Sequence, residues 1–240
     1  MKLTFYCARH GQEAPDWDDF LKCVREEGYD GVETALPSDV RERDLILNGF
    51  AKHGLRLKAV HEGTVTPDFL QHARELESSL RSIIESRPFI ISLQTGKDYF
   101  TFDQNTQLLL MSKRIALENG VNIVHKTQRG RFCFAVHVAR LYLEAMPWLK
   151  LDLDLSQWYT VAGGYLEDQT DAVELALSRA AHVETRIGGM REEMGEMQDL
   201  RSYLTQWDKI VEKHHKMGTA ELGFTCDPEM KNFLIKRYVK

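Results

Sequence analysis

The chain has 240 residues, 31 basic and 36 acidic, for a formal net charge of −5, with 43% apolar and 28% charged side chains. That composition, with a mean hydropathy of −0.38, is the pattern of a globular protein able to bury a core, and the length fits one domain, 1–240. No stretch approaches the roughly 18 apolar residues of a spanning helix, and an acidic chain lacks the basic face of a nucleic-acid binder, so neither a membrane nor a nucleic acid is an expected partner.

The N-terminus begins with strand-like Leu3, Thr4, Phe5 and Tyr6, in place of the basic and then apolar regions of a signal peptide. Residues 3–8 form the first expected strand. Trp17, Phe20, Leu21 and Val24 recur at helical spacing before Gly28. A second strand over 31–36 stops at Pro37, and a helix over 39–52 ends at Gly54. Residues 55–61 form the third strand, and Thr66 with Pro67 is expected to open the third helix.

The fourth strand is 89–93, followed by the polar loop Gln94 to Phe100 and a helix over 104–118 closed by Gly120. A strand over 121–124, a helix over 132–146, a strand over 149–155 and a helix over 168–180 come next. The seventh strand is 181–187, and the polar stretch 188–199 is expected to be a loop covering a site. A helix over 200–217, a strand over 221–226 and a final short helix complete the chain.

Eight strands alternating with helices at roughly 30 residues per unit, without a GxGxxG or GxxxxGK[ST] phosphate loop, predict a (β/α)8 TIM barrel and no nucleotide cofactor. Cys7, Cys23, Cys133 and Cys226 form no CxxC pair. They are expected to be small buried hydrophobes in a reducing, cytoplasmic setting.

In such a barrel functional side chains gather at the C-terminal strand ends. Those ends carry Glu33, His61, Glu62, Gln94, His125, Lys126, Asp152, Asp154, Gln157, His182, Glu184, Arg186 and Asp227. Charges converging in a water-poor cavity cost several kcal/mol each, in order of magnitude, unless paired or bound to a metal, so the cluster points to a site. Each group also has a plain structural role open to it. His61 could be a hydrogen-bonded barrel histidine, one of Asp152 and Asp154 a cap or a bridge between neighbouring strands, and Trp158 and Tyr99 packing rather than platforms for a sugar ring. Arg129, Arg131 and Arg186 could clamp a carboxylate or phosphate, or brace loops.

The stretches Gln94-Thr95-Gly96-Lys97-Asp98-Tyr99-Phe100, His125-Lys126-Thr127-Gln128-Arg129-Gly130-Arg131, Asp154-Leu155-Ser156-Gln157-Trp158 and His182-Val183-Glu184-Thr185-Arg186 resemble the sugar phosphate isomerase/epimerase family with the xylose isomerase-like TIM barrel. The resemblance implies a divalent metal (Mn, Mg or Zn) at the barrel mouth. It also implies proton transfer by carboxylates next to a carbonyl of a small-molecule carbohydrate.

Several positions depart from the family pattern. Lys126 stands where the family has a ligand glutamate, Gln128 and Gln157 stand for histidines, Glu184 stands for a second histidine, and Asp227 is the counterpart of the last glutamate. An ammonium about 4 Å from a divalent ion is repelled by roughly 8 kcal/mol at an effective dielectric near 20.

The exchanged charges predict that the Lys126 ammonium fills the place of the ion, held by Asp154, Glu184 and Asp227, and these four are the candidate catalytic set. Two alternatives stay open: a rebuilt metal site of Asp154, Glu184, Asp227 and His182, or a Schiff base on Lys126. Candidate substrate contacts are Glu33, His61, Gln94, Arg129, Trp158, His182 and Arg186.

The resemblance makes the chain an isomerase or epimerase relative acting on a carbohydrate or sugar acid. The missing carboxylate at 126 keeps open a non-catalytic sugar-binding or partner-binding barrel. A metal-dependent DNA-repair endonuclease of the same barrel type lacks support in charge and ligand count. Besides a small-molecule carbohydrate, the partner this reading admits is a further copy of the chain in a homo-oligomer.

Overall fold

The computed structural model describes residues 1–9, 16–185 and 200–239. Its elements run β1 (Lys2–Ala8), α1 (Trp17–Glu26), β2 (Gly31–Thr34), α2 (Val40–His53), β3 (Arg56–His61), α3 (Phe69–Glu85), β4 (Ile90–Leu93), α4 (Phe102–Asn119) and β5 (Asn122–Lys126). They continue with α5 (Val136–Ala145), β6 (Leu151–Leu153), α6 (Leu155–Ala162), α7 (Thr170–Arg179), β7 (Ala180–Glu184), α8 (Leu200–Lys216), β8 (Glu221–Thr225) and α9 (Pro228–Tyr238). The eight strands close in sequence order into one barrel. Each neighbouring pair is parallel, and β1 meets β8 from Lys2 opposite Glu221 to Tyr6 opposite Thr225.

The helices start and stop where their backbone groups find partners. Asp39 caps α2 through the Glu42 amide, and Gly54 ends it in the left-handed region at φ 62°. Thr101 and Gln104 form a reciprocal capping box on α4. The opening of α3 differs from expectation: Asp68 is its cap, accepting from the Gln71 amide, while the Thr66 hydroxyl donates to Glu75.

The sixth strand is shorter than 149–155. The backbone leaves the sheet at Leu153 and enters α6 at once, a helix that the periodicity did not announce. The fifth helix begins at Val136 rather than 132, because Phe132, Cys133 and Ala135 bury themselves in the approach to it. The expected covering loop over 188–199 lies outside the described residues.

Outward strand residues and the inner faces of the helices make the apolar layer. Leu21, Ile46, Phe50, Trp158, Trp207 and Phe224 belong to one continuous cluster, and Leu76, Leu80, Ile91 and Leu108 pack a second between α3, α4 and β4. Cys133 and Cys226 are buried and Cys7 half-buried, but Cys23 is exposed, against expectation. Among the described residues no helix is long and apolar enough to cross a membrane.

Candidate functional site

The interior of the barrel is charged. Strand alternation sends Glu33 of β2, Lys58 of β3, Ser92 of β4, Lys126 of β5, Asp152 of β6, Glu184 of β7 and Thr225 of β8 toward one another. Lys58 is the hub: its Nζ lies 2.8 Å from Glu33 Oε2, 2.9 Å from Asp152 Oδ2 and 2.9 Å from Glu184 Oε1. Lys126 Nζ approaches Glu184 Oε1 at 3.1 Å and Glu33 Oε1 at 3.4 Å.

Hydroxyls and one imidazole complete this network. The Thr225 hydroxyl donates to Glu33 Oε2 at 2.6 Å, and Ser92 donates to Asp152. His182 Nε2 lies 2.8 Å from the Thr225 oxygen. Since the one Thr225 proton goes to Glu33, His182 is the donor there and carries its proton on Nε2. Gly223 makes room for that ring, because a Cβ at 223 would lie 2.3 Å from His182 Nδ1.

Two ammonium groups facing three carboxyls leave one negative charge in excess, and the carboxyls divide it unequally. Burial disfavours the charged form of Glu33, but Lys58 and Lys126 overcome that and hold it well below the ordinary carboxylate range. Asp152 is likewise buried, and Lys58 above all lowers it. Glu184 moves the other way, to about 8, through burial and then the neighbouring Glu33 charge. Near neutral pH it therefore keeps a proton, and the group of five is electrically balanced. Burial opposes the charge on both lysines, yet their acid partners raise them above the usual lysine value. His182 is held neutral, near 3, by burial and Lys58.

Part of the network reaches the C-terminal ends of the strands. Lys126, Glu184 and Thr225 are the last residues of their strands, at the mouth where barrel enzymes carry their sites. Lys126 is 5% exposed, whereas Lys58 and Glu33 are 0% exposed, so the Lys126 ammonium is the group nearest the opening.

Of the residues singled out in the sequence, Lys126, Glu184, Glu33 and His182 meet here. Asp154 and Asp227 do not hold Lys126, whose acids are Glu33 and Glu184. Asp154 caps α6, its carboxylate accepting from the Ser156 amide at 3.0 Å. Asp227 is an exposed cap of α9, accepting from the Met230 amide at 2.7 Å. Asp154 lies one residue and Asp227 two residues past a strand end, each just before the first residue of a helix whose unpaired amides claim the carboxylate.

Trp158 is no sugar platform: it is buried in the core, its Nε1 donating to the Cys133 carbonyl at 2.8 Å. His61 contacts the Thr64 hydroxyl at 3.4 Å rather than the network. Gln94 is half-buried beside Arg131, near Gly63. The Arg131 guanidinium donates to the carbonyls of Thr64 and Gly96 at 2.9 and 3.3 Å, bracing two loops. Arg129 is exposed, its amide directed at Gln157 Oε1. His125 turns away from the interior to Thr95, its Nδ1 2.8 Å from that hydroxyl. Arg186 lies outside the described residues.

Lys58 went unassigned in the sequence, although a signal existed: a lone lysine between Leu57 and Ala59 in a strand otherwise bound for burial, one strand over from Glu33. Asp152 was visible at its strand but given no role.

The divalent ion of the family resemblance does not fit these residues. The acids that could ligate it already have ammonium groups at 2.8–3.4 Å, and an ion among them would meet the roughly 8 kcal/mol repulsion of each amine about 4 Å away. Among the described residues no three or more His, Cys, Asp or Glu side chains are disposed to hold a metal ion.

No protein-family model matches the chain, and no curated protein matches it by sequence. Solved structures do match over nearly the whole length. A sugar phosphate isomerase/epimerase from Parabacteroides distasonis aligns at 11% identity over 99% of this chain and 100% of that one, with a TM-score of 0.65. A xylose isomerase-like TIM barrel protein from Mycobacterium smegmatis, in complex with magnesium, aligns at 10% identity over 97% and 95%, also at 0.65. The 3-keto-D-glucoside 4-epimerase of E. coli aligns at 13% identity over 96% of both chains, at 0.59. Identities this low speak to architecture, and together with the closed eight-stranded parallel sheet they make this chain a xylose isomerase-like (β/α)8 barrel.

Proposed function

We propose that the barrel is a divergent sugar isomerase/epimerase-like enzyme that moves a proton next to a carbonyl of a carbohydrate or sugar acid, with the Lys126 ammonium in the role a metal plays in its relatives. The observation that carries this is the pairing at the mouth of an ammonium with a carboxyl of pKa about 8, Lys126 and Glu184 at 3.1 Å. A general base works best when its pKa lies near the working pH. A cation beside it stabilises the enediolate that forms as the proton leaves.

In this reading a carbonyl oxygen accepts a hydrogen bond from Lys126. The ionised Glu184 takes the proton from the adjacent carbon, and the resulting negative charge on oxygen is balanced by the ammonium. Passing the remaining hydroxyl proton of the enediolate to the former carbonyl oxygen, and the proton on Glu184 to the former carbonyl carbon, completes an isomerisation. Glu33 and Lys58, fully buried behind, position Glu184 and set its proton affinity. The structural neighbours named as an isomerase/epimerase and an epimerase support the reaction class. Free cysteines throughout fit a reducing cytoplasm.

A second reading, a sugar-binding or partner-binding barrel without catalysis, is favoured by one observation: both ammonium groups of the network already have acid partners, and the most exposed of the charges is 5% open. Incubation with a panel of ketoses, aldoses and sugar acids in deuterated water separates the two. The enzyme labels the carbon next to the carbonyl of its substrate, and Lys126→Met abolishes the labelling. Binding of a sugar without labelling would leave only the second reading.

A further inference from the structure

A cavity of about 300 Å³ lies at the end of the barrel away from Lys126, where Ile90, Asn122 and Glu221 begin β4, β5 and β8. His182, 1% exposed, is part of its wall. Its Nε2 is engaged with the Thr225 oxygen, so Nδ1 of the neutral ring is a bare acceptor. No protein donor reaches Nδ1, yet it is not one of the unpartnered polar atoms sealed from water. Gly223, on the same wall, leaves it uncovered, because a Cβ there would lie 2.3 Å away.

The charge around this cavity is also unbalanced. Lys150 lines it half-buried, and burial, then the neighbouring Arg179, lower its ammonium from the ordinary lysine value. Neither cation forms an ion pair among the described residues. Two like charges held together without a counter-ion repel each other, and an anion beside Lys150 relieves that cost. Glu221, the acid on the wall, is taken up by Arg56 at 2.7 Å and by the Thr4 hydroxyl at 3.1 Å. Its charge still disfavours a second negative charge on a ligand. Ile90, Ile123 and Val124 add apolar surface.

A matching ligand carries one negative charge for Lys150, a donor for His182 Nδ1 and a short carbon skeleton between them. The donor is a hydroxyl rather than an ammonium, which Lys150 and Arg179 would repel. We propose that this cavity is a second binding site, for a small hydroxy-monocarboxylate. It does not depend on the reaction proposed at Lys126.

The test is calorimetric titration of the purified protein with L-lactate, D-glycerate and 3-hydroxybutyrate, and separately with butyrate and inorganic phosphate. At least one hydroxy acid should bind saturably, and butyrate, which lacks the hydroxyl, about tenfold more weakly than 3-hydroxybutyrate. Lys150→Met, which removes the charge, should weaken the binding by about tenfold or more. Asn122→Trp, which fills the cavity from an exposed position on its rim, should do the same and stands in should Lys150→Met lose its native circular dichroism. A hydroxy acid seated at Lys126 instead would be indifferent to both substitutions. The proposal is overturned by absence of saturable binding to all three hydroxy acids, by binding that survives either substitution in a folded protein, by butyrate binding as tightly as 3-hydroxybutyrate, or by phosphate binding more tightly than every hydroxy acid.

Discussion

Lys58 Nζ and Glu33 Oε2 sit 2.8 Å apart with neither side chain open to solvent. They are register partners on adjacent strands, β2 and β3, so backbone pairing itself brings the charges together. From this pair the network extends to Asp152 and Glu184 on the far side of the barrel.

Removing the hub leaves three carboxyls facing one ammonium. Lys58→Met is expected to destabilise the fold by about 3–5 kcal/mol, the range for breaking a buried ion pair by deleting one partner. Urea denaturation measures it. Lys58→Met combined with Glu33→Gln should recover part of the loss, and strict additivity of the two would count against direct coupling.

Glu184 gives stability a pH signature. Its pKa of about 8 in the folded chain exceeds the ordinary 4.5, so between those values the native state holds a proton that the unfolded chain has released. Stability contributed by that proton is complete below about 4.5 and falls as pH rises toward 8, by at most ~1.4 kcal/mol per pH unit. Thermal melts of the wild type and Glu184→Gln across pH 5 to 9 (roughly the span of the shift) should show the downward slope in the wild type only. Parallel curves would mean Glu184 is ionised throughout.

The same shift predicts the reaction profile. With Glu184 as base, solvent exchange into substrate rises with pH and levels off above about 8. Glu184→Gln should lower the rate by ~10²-fold or more. A flat profile across that range would assign the base elsewhere.

Asp227, by contrast, should matter only to folding. Asp227→Ala removes the cap on α9 and is expected to cost about 1 kcal/mol, read as a lower midpoint in denaturant, with the exchange rate unchanged. A large loss of exchange at native stability would return Asp227 to the site.

The ammonium pair also bears on metal content. Elemental analysis after purification without chelator is expected to find no stoichiometric Mn, Mg or Zn, and chelation should leave the melting temperature where it was. A stoichiometric ion lost in Glu184→Ala would show that the lysines yield their place.

Much of the architecture was legible in the chain, for definite reasons. Short apolar runs separated by amphipathic stretches, with Gly54 and Gly120 stopping helices in the left-handed region, mark out βα units, and their number argues for closure. Lys126 and Glu184 stood out as an exchange of charge at two strand ends. Asp154 and Asp227 were misjudged because a strand-end acid and a helix cap look identical in sequence; what separates them is whether a helix starts at the next residue, as α6 and α9 do.

Sequence alone determined that alternating strands and helices would build a barrel with a lysine and acids at its strand ends, since periodicity and residue type are local properties; that the amine stands in place of an acid is what the family resemblance implied. Which acids face that amine was decided only by the closed sheet. Curling eight strands into a ring brings Lys58 within 2.9 Å of Glu184, 126 residues along the chain. Side chains with no local relation thus share one dry interior, where each sets the proton affinity of the others.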